Sequence, residues 1–291
     1  MKTQKGQIQN FIRNLKKRCQ MELLFFQDVP RYLRKPFLYL LTKRIQDKRV
    51  EEISFKIENI RKELASRTGE IPIYLSPKPD TSTDNIIPKH GPIGMFSYEK
   101  IAHTGKKAYW GVFLHLCARE TRAKTIVELG SCAGISASYL GASPYCKKLL
   151  SVEGSPELAK IAKETTAQVS NVIEIVNCLF DQAIDDYLPK LELPVDFCFI
   201  DGHHEKKATI HYFNRLRPYL RDGSIVVFDD ISWSYDMRDA WNELVKESCF
   251  SHCFDLGIVG LCIYSETSRK PVYWDLQKIL GKTKISTPKY W

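Results

Sequence analysis

The second half of the chain alternates between short apolar runs and amphipathic stretches. The apolar runs that we interpret as strands cover residues 126–127, 149–152, 172–176, 195–200 and 224–228. Strands that alternate with helices usually pair in parallel, so the pattern predicts an α/β fold with a mostly parallel sheet of about seven strands. Residues 254–258 and 261–264 flank Gly260 and predict a terminal hairpin, which makes the last strand antiparallel.

The first third of the chain has a different pattern. Apolar residues recur there at helical spacing, among them Leu33, Phe37, Leu40, Leu41 and Ile45. Residues 50–65 continue this pattern with charges between isoleucines, so we predict a basic helical extension over residues 1–70. Residues 71–95 contain five prolines and predict a linker, which leaves residues 96–291 as the main domain.

The net charge of +9 comes from the extension. Residues 1–70 contain 17 Lys and Arg against 8 Asp and Glu. In the remaining residues the basic and acidic side chains are equal in number. Basic amphipathic helices can lie on an anionic membrane surface, bind an acidic partner, cover a nearby site, or pack on the core or on a second subunit of a homodimer. Charge alone does not choose between these roles. The nine cysteines form no C-x-x-C pair, and no signal peptide is evident, which favours a cytoplasmic location.

The turn after the first strand has the composition of a cofactor-binding loop. Glu128 ends the strand, and Gly130 and Gly134 permit a tight turn before a helix. The E-x-G-x-x-x-G spacing differs from the G-x-G-x-x-G that binds a pyrophosphate, so it fits S-adenosylmethionine (SAM) better than a dinucleotide. The alternative is an ordinary strand, turn and helix. Glu153 ends the next strand about twenty residues later, where such folds place an acid on the ribose hydroxyls.

Polar residues also follow the later strands. Residues 201–204 read Asp-Gly-His-His, and Asp229 and Asp230 follow the fifth strand. Sites in open α/β sheets form at the carboxyl ends of strands, so these groups are expected to meet. Carboxylates suit magnesium, and His204, with His203 as its rival, suits proton transfer near neutral pH. The alternative is that the aspartates cap a helix and the histidines are turn residues.

These segments together resemble the class I SAM-dependent methyltransferases, and more narrowly the catechol-type and macrolide-sugar-type O-methyltransferases. The resemblance covers about residues 96–265 and is carried by residues 128–136, Glu153, residues 201–204 and residues 220–230. It implies a Rossmann-like fold. It also implies SAM-dependent transfer of a methyl group to a hydroxyl of a small molecule or sugar.

The resemblance assigns specific residues to that function. The implied cofactor contacts are Glu128, Gly130, Ser131, Cys132, Gly134, Ser136, Glu153, Gly154, Leu179, Phe180 and Asp201. The implied ligands of a divalent metal, expected to be magnesium, are Asp201, Asp229 and Asp230, and the implied catalytic residues are Asp201 and His204. Leu179 and Phe180 replace more polar residues of the catechol type. The segment before the main domain's first helix implies further cofactor contacts at His103, Thr104, Gly105 and Lys106, or a plain helix start.

Two other functions are weighed against this one. The fold could serve as a catalytically silent SAM-binding or membrane-associated scaffold. A nucleic-acid methyltransferase is disfavoured, because the amino-directed enzymes usually have an Asn/Asp-Pro-Pro-aromatic turn after strand four, where this chain has Asp-Gly-His-His. Trp233 and Tyr235 either line a substrate pocket or pack on the sheet edge.

Overall fold

The computed structural model describes residues 29–75, 92–191, 194–267, 270–280 and 285. The first part of the described chain forms helices and a small ribbon: α1 (Arg31–Thr42), α2 (Lys48–Ala65), β1 (Glu70–Tyr74), β2 (Ile93–Ser97), α3 (Tyr98–Thr104) and α4 (Ala108–Glu120). The alternating part follows: β3 (Thr125–Leu129), α5 (Ile135–Gly141), β4 (Lys148–Glu153), α6 (Pro156–Ala167), β5 (Ile173–Asn177), α7 (Phe180–Asp186), β6 (Val195–Ile200), α8 (Lys206–Leu216) and β7 (Leu220–Phe228). The last elements are α9 (Tyr235–Leu244), β8 (Phe250–Asp255), β9 (Gly260–Tyr264), β10 (Val272–Asp275) and α10 (Gln277–Leu280).

The main sheet has eight strands in the order β10-β8-β9-β7-β6-β3-β4-β5. Strands β3 to β7 pair in parallel, and β9 runs antiparallel to both β7 and β8. The predicted Rossmann-like, mostly parallel α/β fold is confirmed, with the antiparallel strand in the terminal hairpin. The eighth strand is β10, which pairs with β8 at the sheet edge and was not predicted.

The strand order reverses at β3. The chain moves outward from β3 through β4 to β5, and then returns to place β6 on the other side of β3. Such a reversal opens a crevice at the carboxyl ends of the two central strands, where ligands of these folds bind. Both β3 and β6 are buried along their whole length, as expected for parallel strands with helices on both faces.

The described helices of the basic extension belong to the core of the main sheet. Leu33 and Phe37 of α1 are buried in the same cluster as Phe113 of α4 and Phe254 of β8. The ring centroids of Phe37 and Phe254 lie 4.9 Å apart in an edge-to-face arrangement. These contacts make α1 part of one side of the sheet. The division of the chain at residues 70 and 95 stays a prediction, and residues 1–28 of the predicted extension lie outside the described residues.

The predicted linker begins and ends as strand. Strands β1 and β2 form an antiparallel ribbon in which Tyr74 lies opposite Ile93. The backbone amide of Tyr74 donates a hydrogen bond to Ser155 Oγ over 3.3 Å, so the ribbon lies beside the end of β4. Residues 76–91 of the linker lie outside the described residues. Among the helices that the structure describes, none is both long and apolar enough to cross a bilayer.

Candidate active site

The turn between β3 and α5 is packed so closely that glycine is required at two positions. Gly130 has a φ of +103°, and a Cβ atom there would lie 1.9 Å from the carbonyl oxygen of Asp201. Gly134 has a φ of +77°, and its Cβ would lie 2.9 Å from Cα of Ala162. An L side chain would therefore be strained at both positions and would also overlap backbone atoms. The turn thus brings the ends of β3 and β6 into direct contact, next to α6.

Glu153 lies at the end of β4 and holds the glycine turn. Its Oε2 accepts a hydrogen bond from the backbone amide of Cys132 over 2.8 Å, and its Oε1 accepts one from Ser155 over 2.9 Å. Burial raises the pKa of Glu153 to about 7. Each carboxylate oxygen has a second lone pair, so both could accept further donors. Gly154 follows directly, and its carbonyl accepts a hydrogen bond from Asn177 at the end of β5.

Glu128 lies beneath the same turn. Its side chain is fully buried, its Oε2 accepts a hydrogen bond from the hydroxyl of Ser151, and Ser151 Oγ lies 2.5 Å from Ser131 Oγ. Burial raises the pKa of Glu128 to about 7. The hydroxyl of Ser136 lowers that pKa against the effect of burial, although within the described part of the chain Oε1 of Glu128 has no hydrogen-bond partner of good geometry. A buried carboxylate oxygen without a donor is an unusual and costly feature, and it fits a site that a ligand completes. Ser136, buried at the start of α5, is a further predicted contact on this side.

Cys132 is a packing thiol rather than a reactive one. Its φ of +46° places it in the left-handed region within the turn. Burial raises its pKa to about 12, with the negative charge of Glu153 acting in the same direction. Since the thiolate is the nucleophilic form of cysteine, this environment disfavours covalent chemistry at this position.

Carboxylates from two strand ends meet beside the turn. Asp201 follows β6, and its backbone amide donates to the carbonyl of Leu129 over 2.8 Å. Asp229 and Asp230 follow β7, and burial raises the pKa of both Asp201 and Asp229. Asp201, Asp230 and His204 each offer one ligand atom, and these atoms all lie within 4.8 Å of one another. We call Asp201, His204, Asp229 and Asp230 the acid cluster.

Asp229 lies beside this group, and its side chain shares a hydrogen bond with that of Asp201. Its buried carboxylate forms an ion pair with the ammonium group of Lys106, and Lys106 Nζ also lies 3.5 Å from Asp230 Oδ1. Burial lowers the pKa of Lys106, but the carboxylates of Asp229, Asp201 and Asp230 outweigh this, so its pKa lies well above the usual value. Lys106 therefore engages two of the three aspartates that the resemblance implied as metal ligands, Asp229 and Asp230. The sequence indicated Lys106 only as a secondary cofactor contact.

Lys106 reaches the acid cluster because a helix of the N-terminal extension holds its loop. Arg61 of α2 donates hydrogen bonds to the carbonyl of Ala102 over 2.8 Å and to that of Lys106 over 2.5 Å. Arg61 Nε also lies 3.0 Å from Oε2 of Glu58. Sequence reasoning missed Arg61. Its signal was the helical spacing that places it beside Ile57, Ile60 and Leu64 on the buried stripe of α2.

The two histidines after β6 have different surroundings. His203 Nδ1 lies 3.3 Å from the hydroxyl of Tyr212, and burial lowers the pKa of His203 to about 4. The side chain of His204 is more exposed, its Nδ1 lies 3.8 Å from Oδ2 of Asp230, and its ring lies 5.8 Å from that of Trp233. Tyr235, two residues after Trp233, is exposed to solvent. His204 is thus the histidine of the pair that faces the aspartates of the acid cluster.

The remaining predicted contacts are distributed around the crevice. Phe180 opens α7, and a Cβ atom at Gly202 would lie 2.7 Å from its ring, so Phe180 packs directly on the turn after β6. Leu179 precedes it as the helix cap. In the lead-in segment, Gly105 precedes Lys106, whereas His103 and Thr104 are exposed on α3.

Comparison with known proteins gives one family and several relatives. Residues 127–231 match a family described as a methyltransferase domain. An uncharacterized protein of Acanthamoeba polyphaga mimivirus is 29% identical over 170 residues, which cover 53% of this chain and 77% of that protein. A catechol O-methyltransferase of Niastella koreensis is 32% identical over 126 residues, or 42% of this chain. The match spans only 55% of that enzyme's length.

Solved structures agree on the fold. The structure of a putative O-methyltransferase from Klebsiella pneumoniae superposes with a TM-score of 0.50 at 18% identity, and the alignment covers 79% of this chain and 94% of that one. At this identity the likeness concerns the architecture alone. The family match includes the glycine turn, Glu153 and the whole acid cluster, whereas Lys106 lies outside the matched residues.

Proposed function

Because the chain belongs to the class I SAM-dependent methyltransferases, we propose that it transfers a methyl group from SAM to a hydroxyl of a small molecule or sugar. One observation carries this proposal. The turn that fits a nucleoside cofactor and the acid cluster that fits an acceptor oxygen lie in direct contact, since Gly130 packs against the backbone of Asp201. A methyl donor bound at the glycine turn would therefore have its reactive methyl group beside the acid cluster.

The cofactor is expected to lie along the ends of β3, β4 and β6. The carboxylate of Glu153, already oriented by two backbone amides, binds the ribose hydroxyls. The methionine part lies against the glycine turn, where Glu128 Oε1 lacks a donor and the cofactor's ammonium group would supply one. Phe180, packed on the turn after β6, forms an apolar surface for the adenine.

Methyl transfer requires an acceptor oxygen in line with the bond between sulfur and the methyl carbon. The oxygen forms a bond to that carbon, the sulfonium leaves as the neutral thioether S-adenosylhomocysteine (SAH), and the hydroxyl proton must be taken up. His204 is the proposed base, because histidine accepts protons near neutral pH and this ring faces the acid cluster. Asp230, 3.8 Å from His204 Nδ1, stabilises the imidazolium that forms.

A divalent metal fits part of the acid cluster. Carboxylates are the ligands that magnesium prefers, and ligand atoms of Asp201 and Asp230 lie within 4.8 Å of one another. These two residues would hold the ion, whereas Asp229 pairs with Lys106. When bound, the metal would polarise the acceptor oxygen as a Lewis acid.

The proposal is tested by measuring SAH formation over a panel of sugars, phenols and hydroxy acids, with and without magnesium. An active acceptor is expected, and Asp230→Asn should lower turnover by about 100-fold or more while SAM still binds in calorimetry. Asp239→Asn, the same change at an exposed position on α9, should leave turnover unchanged. Heat of SAM binding without SAH from any acceptor would instead support the silent scaffold.

A further inference from the structure

A positive charge supplied by the protein itself, the ammonium group of Lys106, lies beside the acid cluster. Lys106 Nζ is paired with Asp229 and lies 3.5 Å from Asp230, and only 11% of the lysine side chain is exposed. The Asp229 side chain is completely buried. A buried carboxylate requires a compensating charge, and here the ammonium group provides it.

The position of this ammonium group is fixed by the fold. Lys106 lies in the short loop between α3 and α4, and the guanidinium of Arg61 on α2 donates to the carbonyl of Ala102 in α3 and to that of Lys106 in the loop. Arg61 is in turn paired with Glu58, which accepts a hydrogen bond from the hydroxyl of Tyr139 over 3.0 Å. The lysine therefore approaches the carboxylates from a loop that is held on its other side by the extension.

An ammonium group and a divalent cation bound to the same carboxylates repel each other. The repulsion is strong at separations of a few ångströms, because buried charges are poorly screened by water. Lys106 also engages Asp229, whose side chain shares a hydrogen bond with that of Asp201. The ion pair thus removes one ligand from a metal and places a like charge beside the remaining two.

We propose that Lys106 is the resident counter-cation of the acid cluster and that it competes with a divalent metal for Asp229 and Asp230. In this protein the lysine sets the metal affinity of the cluster. The inference deepens the proposed function and rests on it for the catalytic meaning of the cluster, but the competition itself concerns only binding to the protein.

The test is a titration of the full chain with Mn²⁺. Binding is monitored through the electron paramagnetic resonance signal of free Mn²⁺. Lys106→Met is expected to bind Mn²⁺ at least about tenfold more tightly than the unchanged protein. Lys106→Gln, which keeps a polar group beside Asp229, is the second variant in case the first does not fold, and the same gain is expected. The matched control is Lys107→Met, because Lys107 is adjacent but exposed and should leave the affinity unchanged.

The location of the new binding is tested by adding a second substitution. Asp230→Asn in the Lys106→Met background should abolish the gain. Equal Mn²⁺ affinity in the unchanged protein and in the folded Lys106 variants would overturn the inference, as would a gain that survives in the double variant. SAM calorimetry on the unchanged protein keeps the two proposals apart, because failure of that protein to bind SAM contradicts the proposed function and leaves the Mn²⁺ comparison intact.

Discussion

Replacement of Glu153 by glutamine should weaken SAM binding strongly. The substitution keeps the size of the side chain but removes its charge and gives it an amide donor. In the structure both carboxylate oxygens accept hydrogen bonds from backbone amides, those of Cys132 and Ser155. In glutamine one of these oxygens is replaced by an NH₂ group, which would face one of the amide N–H donors and could not accept its hydrogen bond. The variant would thus lose both the preferred orientation of the side chain and the charged acceptor for the ribose.

The size of the effect follows from these hydrogen bonds. A hydrogen bond to a charged group contributes about 1.5–3 kcal/mol, and the ribose offers two hydroxyl donors to the carboxylate. Allowing for partial compensation by the glutamine oxygen, we expect a loss of about 2–3 kcal/mol, or a Kd for SAM that rises by about 30- to 150-fold.

The pH dependence gives a second test. The raised pKa of about 7 means that Glu153 in the free protein is mostly protonated below that pH. SAM needs the ionised acceptor, so its affinity should rise with pH and level off above about pH 8. Glu128, whose pKa is also about 7, contributes in the same direction. Log Kd should therefore fall with rising pH in the unchanged chain, and the magnitude of this negative slope should be smaller by up to about one in Glu153→Gln without vanishing.

The assay is isothermal titration calorimetry with SAM between pH 6 and 8.5, with thermal unfolding to confirm that each variant is folded. Glu157→Gln is the matched control, because Glu157 is exposed in the first turn of α6, close to the same site. A folded Glu153→Gln protein that binds SAM within about threefold of the unchanged chain, with the same pH slope, would refute the reasoning.

Two further predictions concern the framework of the site. Gly130→Ala should destabilise the fold by more than about 2 kcal/mol and abolish SAM binding, because its Cβ would overlap a backbone carbonyl. Gly223→Ala, at a φ of +86° with open space around it, should cost only about 1–2 kcal/mol in denaturant unfolding, and equal losses would contradict the packing argument. Arg61→Met should cost about 3 kcal/mol by leaving buried partners unpaired, whereas exposed Lys62→Met should change little in the same measurement.

The strand ends could be predicted from the sequence because a local pattern determines them. An apolar run followed by Glu128, Glu153, Asp201 or Asp229 marks the end of a buried strand, and parallel strands bring such ends to one edge of the sheet. The glycine turn was equally visible, since its spacing is fixed by the need for a tight reversal. The α/β fold class and the position of the site at the strand ends follow from these features.

The pairing inside the acid cluster could not be predicted in this way. Lys106 meets Asp229 only because the loop before α4 is held by Arg61, which lies 45 residues earlier on a different helix. Such a contact depends on how α2 packs, and the helical spacing that places Arg61 on the buried stripe of α2 does not identify its partner. The edge strand β10 was missed for a related reason, since four residues pairing at the margin of a sheet carry too short a pattern.

The central claim is that the glycine turn and Glu153 bind SAM with its methyl group directed at the acid cluster. The most direct test is a crystal structure of the chain with SAH. The account predicts both ribose hydroxyls within hydrogen-bond distance of the Glu153 carboxylate and the sulfur atom facing Asp201 and His204. A nucleoside bound elsewhere, or a sulfur atom directed away from those two residues, would contradict it.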